Sequence, residues 1–202
     1  MFDQMSFFEG DPPSGEPPAK IEPWDPKQGA AKLFLGLRPT SARALEMWRI
    51  SNSLDLAHGI RGNLRNADLL HITLLELGDY LILPKQEVID VRQLVEAVVS
   101  PTFDLALNRA MTFKGNGAYA LLVGEGLEQI KALRQRLGIA VKRAGRPVKS
   151  GFNPHMTLSY NGCRVDEHLI EPIRWHVDEF VLINSHSGES HHEVVGSWPL
   201  RP

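Results

Sequence analysis

The same order of predicted elements occurs twice in this 202-residue chain, and the last strand of each copy begins with a His-x-Thr-Leu sequence. Short apolar runs predict strands, and apolar residues at steps of three and four predict helices. Each copy predicts a strand, a helix and a second strand. In the first copy these lie at 33–37, about 40–57 and 70–77. In the second copy they lie at 119–123, about 126–144 and 155–160. The duplication predicts two similar lobes related by an approximate two-fold axis.

The second strand of each unit contains one His-x-Thr motif, His71-Ile72-Thr73 or His155-Met156-Thr157. Eight histidines and five threonines in 202 residues would produce such a triplet by chance about 0.2 times, and it occurs twice. Residues i and i+2 of a strand share a face. Each motif therefore places an imidazole beside a hydroxyl, while Ile72 or Met156 faces the other side of the sheet.

Two imidazoles facing each other across a cleft suit general acid–base catalysis. One can take a proton from water while the other gives a proton to a leaving oxygen. Threonine hydroxyls can donate hydrogen bonds to phosphoryl oxygens, so a phosphodiester is the expected substrate. Two alternatives remain at this point: structural histidines satisfied by backbone or water, and a metal site. Two histidines are too few for a zinc site without a third ligand, and no His, Cys or Glu cluster at ligand spacing accompanies either motif.

The remaining elements add further helices and strands to the two predicted units. Pro84 opens a second helix, with Val88, Val91, Val95 and Val98 on one face. Further predicted elements are a strand from Phe103 to Leu107, a hairpin turn at 114–117, and two closing strands at 177–184 and 193–200. Thr40 or Ser41 is positioned to cap the first helix.

Composition bounds the class of protein. The net charge of −2 argues against a protein that coats nucleic acid by bulk attraction, but not against a local phosphate pocket. Residues 1–29 contain six prolines and six acidic residues against two basic ones, which predicts a disordered tail preceding a domain at 30–202. We expect no membrane association, because no apolar run approaches about 20 residues. The absence of a secretory signal and the single Cys163 predict a cytoplasmic protein.

Over about residues 32–200 the chain resembles the two-histidine phosphoesterase superfamily, and within it the bacterial LigT-like RNA 2′,3′-cyclic phosphodiesterases, also called 2′-5′ RNA ligases. The segments that carry the resemblance are Leu33 to Pro39, Leu70 to Leu74 with Leu77-Gly78, Phe152 to Leu158, Trp175 to Ser185, and Gly196 to Leu200. Many relatives carry an Arg shortly after the second motif, where this chain has Tyr160-Asn161. The paired motifs are specific to the superfamily rather than to one substrate.

The resemblance implies a bilobal α+β fold, with two antiparallel sheets around a central cleft and helices outside. It also implies metal-independent opening of a 2′,3′-cyclic phosphate to a 2′-phosphate, with no cofactor. It implies that His71 is the acid on the 3′ oxygen, that His155 is the base on water, and that Thr73 and Thr157 hold the phosphate. The partner would be an RNA end or a nucleotide cyclic phosphate rather than DNA, bound by a monomer. The alternatives are a 2′-5′ ligase, a phosphodiesterase for another cyclic nucleotide, and a binding module without turnover.

Weaker candidates surround the motifs. Phe152 and Tyr160 are candidates for stacking on a nucleobase, with core packing as the alternative. Seven basic residues and no acidic residue lie between 131 and 149, which is a candidate RNA path or a solvated helix face. Arg38 and Arg65 are weak candidates for phosphate contact. The other six histidines, His58, His168, His176, His186, His191 and His192, are interpreted as incidental, although the last three are close enough in sequence to bind a metal. Cys163 has no partner that would make it a nucleophile.

Overall fold

The computed structural model describes residues 31–60, 62–160, 163–186 and 188–201. The tail predicted at 1–29 lies outside the described residues. Within those ranges there are nine strands and three α-helices. The strands are β1 Ala31–Leu37, β2 Asn63–Leu64, β3 Ile72–Tyr80, β4 Phe103–Thr112, β5 Tyr119–Glu125, β6 His155–Tyr160, β7 His168–Val177, β8 Glu179–His186 and β9 His191–Pro199. The helices are α1 Ser41–Ala57, α2 Lys85–Val95 and α3 Leu127–Arg143.

All the strand pairings described are antiparallel, which confirms the α+β class with an antiparallel sheet. The predicted two separate sheets are instead two halves of one hydrogen-bonded sheet, with the order β7-β4-β5-β6-β3-β1-β8-β9 and β2 beside β6. The halves meet where β3 pairs with β6, through Ile72 and Met156. In each half, the two strands on either side of a helix pair with each other. These pairs are β1 with β3, on either side of α1, and β5 with β6, on either side of α3.

The first repeat unit consists of β1, α1 and β3. Thr40 caps α1 by accepting a hydrogen bond from the Arg43 amide, as predicted. Gly36 lies where β1 passes close to β3, because a Cβ there would come within 3.0 Å of the Ile72 carbonyl oxygen. A larger side chain at this position would push β1 away from the start of the first motif.

The buried face of α1 differs from the predicted one. The apolar spacing predicts a stripe through Met47, Ile50, Leu54 and Ala57, whereas the buried residues are Ala44, Met47, Ser51 and Asp55. The Ser51 hydroxyl donates to the Met47 carbonyl at 2.8 Å, which satisfies this polar group inside the fold. The apolar spacing predicts the wrong face of α1, because two of the four residues that are buried, Ser51 and Asp55, are polar.

The second repeat unit consists of β5, α3 and β6. The apolar spacing predicts a stripe along α3 through Leu127, Ile130, Leu133, Leu137 and Val141, and four of these five residues are buried as predicted. Ile130, Leu133, Leu137 and Val141 are buried along one side of α3. In α2, Pro84 precedes the helix as predicted, and Val91 and Val95 are buried. One core cluster includes side chains from both halves of the sheet and from all three helices.

Strand β7 was not predicted as a separate element. It contains Pro172 and several charged residues, and it pairs only with β4 among the described strands. An edge position tolerates proline, because one row of amides on an edge strand has no ladder partner. The part of the chain that the structure describes contains no helix long and apolar enough to cross a membrane.

Candidate active site

The two His-x-Thr motifs lie next to each other at the centre of the sheet. Ile72 and Met156 are fully buried and pair across the two strands, whereas the four motif side chains on the other face are only partly buried. The antiparallel register places His71 across from Thr157 and Thr73 across from His155. The predicted alternation of faces is confirmed, and sheet pairing brings the two motifs onto one surface.

A cavity of about 1000 Å³ opens on this surface, and His71, Thr73, His155 and Thr157 all line it. Tyr160 lies in the same cavity. Phe152, the other residue predicted to contact substrate, lies in a separate cavity of about 410 Å³. The structure therefore brings five of the six predicted site residues together.

The two motif histidines have matching hydrogen bonds. The Nδ1 of His71 donates to the Leu69 carbonyl at 2.7 Å, and the Nδ1 of His155 donates to the Asn153 carbonyl at 2.8 Å. In each case the acceptor lies two residues earlier in the chain and can only accept, so Nδ1 carries the hydrogen. Nε2 of each ring is therefore the nitrogen available for proton transfer.

Each of these imidazoles also packs against one phenylalanine ring. The ring centroids of His71 and Phe34 are 4.8 Å apart, and those of His155 and Phe113 are also 4.8 Å apart. Phe34 belongs to β1 and packs with Val181 and Ile183 of β8 in a small cluster apart from the main core. These contacts limit the orientations available to the two imidazoles.

A third histidine, His192, completes the surroundings of His71. It lies on β9 and is buried, and its ring is 5.0 Å from that of His71 at an interplanar angle of 72°. The His192 Nδ1 atom is buried without a hydrogen-bond partner. His192 also contacts the edge of Phe34, with centroids 5.8 Å apart. Aromatic rings therefore surround His71 on more than one side.

This environment favours neutral imidazoles. Burial lowers the pKa of His71 to about 4, and electrostatic interactions with Arg65, His155 and Arg38 add to this effect, while the hydrogen bond to the Leu69 carbonyl opposes it. Burial lowers the pKa of His192 to about 3, with a further contribution from His71. At neutral pH, both rings are uncharged in the ligand-free protein.

Arg65 provides a positive charge at the same cavity. Its amide donates to the Leu158 carbonyl at 2.7 Å, which fixes the residue beside β6. The guanidinium lies 5.6 Å from the centre of the Tyr160 ring. The Nε atom is buried without a hydrogen-bond partner, and no ion pair to a described carboxylate involves Arg65. The other weak arginine candidate, Arg38, donates to the Asp68 carbonyl and does not line the cavity.

Two further lysines at the cavity are already paired with acids. Lys32 is 3.7 Å from Asp79, and Lys149 contacts Glu76. Arg65 is therefore the lining cation whose charge is not offset by a neighbouring carboxylate among the described residues. Nothing in the local sequence of Arg65 marks it as a phosphate ligand, and only the pairing of β2 with β6 brings it to the second motif.

The interpretation of six histidines as incidental needs correction for three of them. His186, His191 and His192 line the cavity together with the motif residues, because the β8–β9 hairpin forms one of its walls. His58, His168 and His176 lie outside the cavity lining, and Cys163 is exposed. Among the residues that the structure describes, no three His, Cys, Asp or Glu side chains are grouped so that they could hold a metal ion.

This arrangement has the parts needed for a phosphoryl displacement. Two imidazoles with free Nε2 atoms can exchange protons with opposite oxygens of a bound ester. Two hydroxyls and one guanidinium can donate to the oxygens on which charge develops. The rings of Phe34, Phe113 and Tyr160 provide apolar surface around these polar groups.

Comparison with protein families gives one match over most of the chain. The family model described as the 2′-5′ RNA ligase superfamily matches residues 38–189, a range that contains both motifs, Arg65 and the β8 strand. Comparison with curated proteins gives no significant match.

Three solved structures with the same fold align with this chain over nearly the whole of their own length. A structure described as a phosphoesterase has a TM-score of 0.68 at 20% identity, with 85% of this chain and 98% of that one aligned. Escherichia coli LigT complexed with 3′-AMP has a TM-score of 0.68 at 20% identity, covering 86% and 99%. The protein TT0787 of Thermus thermophilus has a TM-score of 0.66 at 22% identity, covering 84% and 98%. At these identities the similarity establishes a common fold.

Proposed function

Because the chain belongs to the 2′-5′ RNA ligase superfamily, we propose that it hydrolyses a 2′,3′-cyclic phosphate, on an RNA end or a nucleotide, to a 2′-phosphate. The observation that carries this proposal is the placement of two His-x-Thr pairs on one cavity surface, with Nε2 of both histidines available. The activity is assigned to the domain at 30–202, acting as a monomer in the cytoplasm without a metal ion or cofactor. DNA and membranes are not proposed as partners.

The reaction is an in-line displacement at phosphorus. His155 Nε2 takes a proton from a water molecule, the water oxygen bonds to phosphorus, and the bond from phosphorus to the 3′ oxygen breaks. His71 Nε2 gives its proton to that 3′ oxygen, leaving a 3′ hydroxyl and a 2′-phosphate. Thr73 and Thr157 donate hydrogen bonds to the non-bridging oxygens. Proton exchange with solvent then restores both imidazoles.

The lowered pKa of His71 sets a condition on this mechanism. A ring with a pKa of about 4 carries almost no Nε2 proton at neutral pH in the ligand-free protein. A bound phosphate anion opposes the positive charge of Arg65 and raises the pKa of His71. We propose that substrate binding itself supplies the protonated acid. The assignment of His71 as acid and His155 as base depends on this shift.

Arg65 is the further residue proposed to hold the phosphate. Its guanidinium can donate two parallel hydrogen bonds to two phosphoryl oxygens, and its position beside β6 brings it near the second motif. Tyr160, which lies close to the guanidinium, is proposed to stack on the nucleobase. A nucleotide is a reasonable occupant of this fold, since Escherichia coli LigT has been crystallised with 3′-AMP.

The experiment is incubation of the full chain, in EDTA, with a mononucleotide 2′,3′-cyclic phosphate and with an RNA ending in one. We expect release of a 2′-phosphate from both, and no release by His71→Ala or His155→Ala. A 3′-phosphate product would mean that the other oxygen leaves, and loss of turnover in EDTA would point to a metal. Tight binding of a 2′-nucleotide without turnover would identify a binding module. Joining of RNA ends instead of hydrolysis would identify a ligase.

A further inference from the structure

The second cavity, of about 410 Å³, lies between α3 and the segment that leads into the second motif. Lys131, Gln135, Gly138 and Lys142 line it from α3, at steps of four, three and four along one helix face. Gly138 leaves the floor open, because a Cβ there would meet only the Val148 side chain, at 3.7 Å. The cavity is therefore a groove along the helix.

The segment between 147 and 152 separates this groove from the catalytic cavity. Pro147 and Lys149 line the catalytic cavity, whereas Val148, Ser150 and Phe152 line the groove. Alternate residues of one stretch of chain thus face the two cavities. A ligand that leaves the catalytic cavity needs to cross only this single segment to enter the groove.

Arg134 fixes that segment against the first motif strand. Its guanidinium donates to the carbonyls of Lys149 at 2.5 Å and Gly151 at 3.4 Å, and its Nε donates to the Leu74 carbonyl on β3 at 3.2 Å. The same guanidinium stacks 4.6 Å above the centre of the Phe152 ring. The groove wall is therefore held in a defined position relative to both motifs.

The groove lining is basic and contains no acidic residue among those that the structure describes. Lys142 is exposed and forms no ion pair with a described carboxylate, and Lys131 is paired only with the exposed Glu128 one turn earlier. The remaining polar lining, Gln135 and Ser150, can donate hydrogen bonds. Exposed ammonium groups beside hydrogen-bond donors and an aromatic ring suit the backbone of a single-stranded nucleic acid.

We propose that this groove binds the phosphodiester backbone of an RNA strand on the 5′ side of a cyclic-phosphate end held in the catalytic cavity. This inference rests on the proposed function. Lys131 and Lys142 contact phosphates, while Arg134 maintains the wall between the two cavities. The groove makes the protein prefer an RNA end over a mononucleotide, since only the longer substrate reaches both cavities.

The test compares two substrates across two matched double variants. The substrates are a hexanucleotide ending in a 2′,3′-cyclic phosphate and the corresponding mononucleotide. The variants are Lys131→Gln with Lys142→Gln in the groove, and Arg49→Gln with Arg92→Gln, which removes two exposed charges outside both cavities. Thermal unfolding of each variant checks that the fold is retained.

We expect the groove variant to lose about tenfold in kcat/KM on the hexanucleotide at low salt, with a weaker salt dependence, because two phosphate contacts are gone. Its kcat/KM on the mononucleotide and the behaviour of the control variant should stay unchanged. Equal kcat/KM of the groove variant and the unaltered protein on the hexanucleotide would overturn the inference. An equal loss on both substrates would also overturn it, since the groove would then act only through the catalytic cavity.

Failure of the proposed function gives a different pattern. If the unaltered protein turns over neither substrate, the groove is tested by binding of a hexanucleotide with a 2′-phosphate end. Weaker binding by the groove variant, with unchanged binding of a 2′-mononucleotide, then supports the groove. Equal binding of the hexanucleotide by both proteins refutes it.

Discussion

Ile72 and Met156 face each other as the one cross-strand pair that joins β3 to β6 among the described residues. Both side chains are fully buried, and both lie in the core cluster that extends through the two halves of the sheet. Each is the middle residue of a His-x-Thr motif. The packing of these two side chains on one face therefore sets the alignment of the two imidazoles and two hydroxyls on the other.

Met156→Ala tests this alignment. We expect a loss of about 2–5 kcal/mol in the free energy of unfolding, since a fully buried large side chain leaves a cavity. Urea titration measures the loss, and kcat measured well below the unfolding midpoint should also fall. Val194→Ala, at a position that is 41% exposed, is the matched control and should change neither quantity appreciably. Full kcat in Met156→Ala would contradict the role of the pair in aligning the motifs.

A substrate with a different leaving group distinguishes the acid from the base among the two motif histidines. A general acid contributes about 10²- to 10⁴-fold, but it is not needed when the leaving group is a stable anion. On a diester with 4-nitrophenolate as leaving group, His71→Gln should therefore retain most of the activity of the unaltered protein, whereas His155→Gln should lose it. Release of nitrophenolate is followed by absorbance. The opposite pattern would exchange the roles of acid and base.

Removal of the Arg65 guanidinium should weaken stabilisation of the transition state. We expect Arg65→Gln to lower kcat/KM by about 10²- to 10³-fold, the usual effect of removing one donor to developing charge. Arg65→Lys should recover part of this, since it keeps the charge without the paired donors. Because Arg65 lowers the pKa of His71, the pKa of His71 should rise in Arg65→Gln, which NMR titration of the imidazole detects. Unchanged kcat/KM in Arg65→Gln would exclude phosphate contact.

The stability of the ligand-free protein should fall in mild acid. Burial lowers the pKa values of His71 and His192 to about 4 and about 3, below the ordinary value of 6.5. As the pH drops from 6.5 to 4, the unfolded chain takes up protons that the folded state excludes, so stability decreases by up to about 1.4 kcal/mol per pH unit for each group. Urea titrations across this range measure the slope.

Two variants identify the groups responsible for that slope. His192→Asn should make the slope shallower, because one of the two imidazoles with a lowered pKa is gone. His58→Asn, which removes an exposed histidine outside the cavity lining, is the control. A saturating 2′-nucleotide should also reduce the slope, because its phosphate favours the protonated form of His71. An unaltered slope in His192→Asn would show that this ring does not contribute.

Much of the local structure was predictable, and the errors have physical causes. The face of α3 was predicted correctly because Ile130, Leu133 and Leu137 form an unbroken apolar stripe. The predicted buried face of α1 was wrong because the buried residues Ser51 and Asp55 break the apolar pattern. Strand β7 was missed because an edge strand can contain charged residues and a proline, which hide the alternation that identifies a strand.

The surroundings of the motifs were predicted less well than the motifs themselves. Phe152 was expected at the nucleobase because it is three residues from His155, yet it lines the groove beneath Arg134. His192 was interpreted as a polar residue at the end of a hairpin, because nothing in its flanking sequence suggests catalysis, yet its ring is 5.0 Å from that of His71. Proximity in sequence is a poor guide here because the two faces of one extended segment open into different cavities.

The sequence by itself determined which side chains share a face. A strand alternates with a period of two, so His71 and Thr73 were bound to lie together and Ile72 opposite them, whatever the strand paired with. Only the tertiary structure decided that the two motif strands are neighbours, that they run antiparallel, and that Arg65 and His192 join them. Those relations depend on which strands the common core brings together, and long-range packing of buried residues has no counterpart in a local pattern.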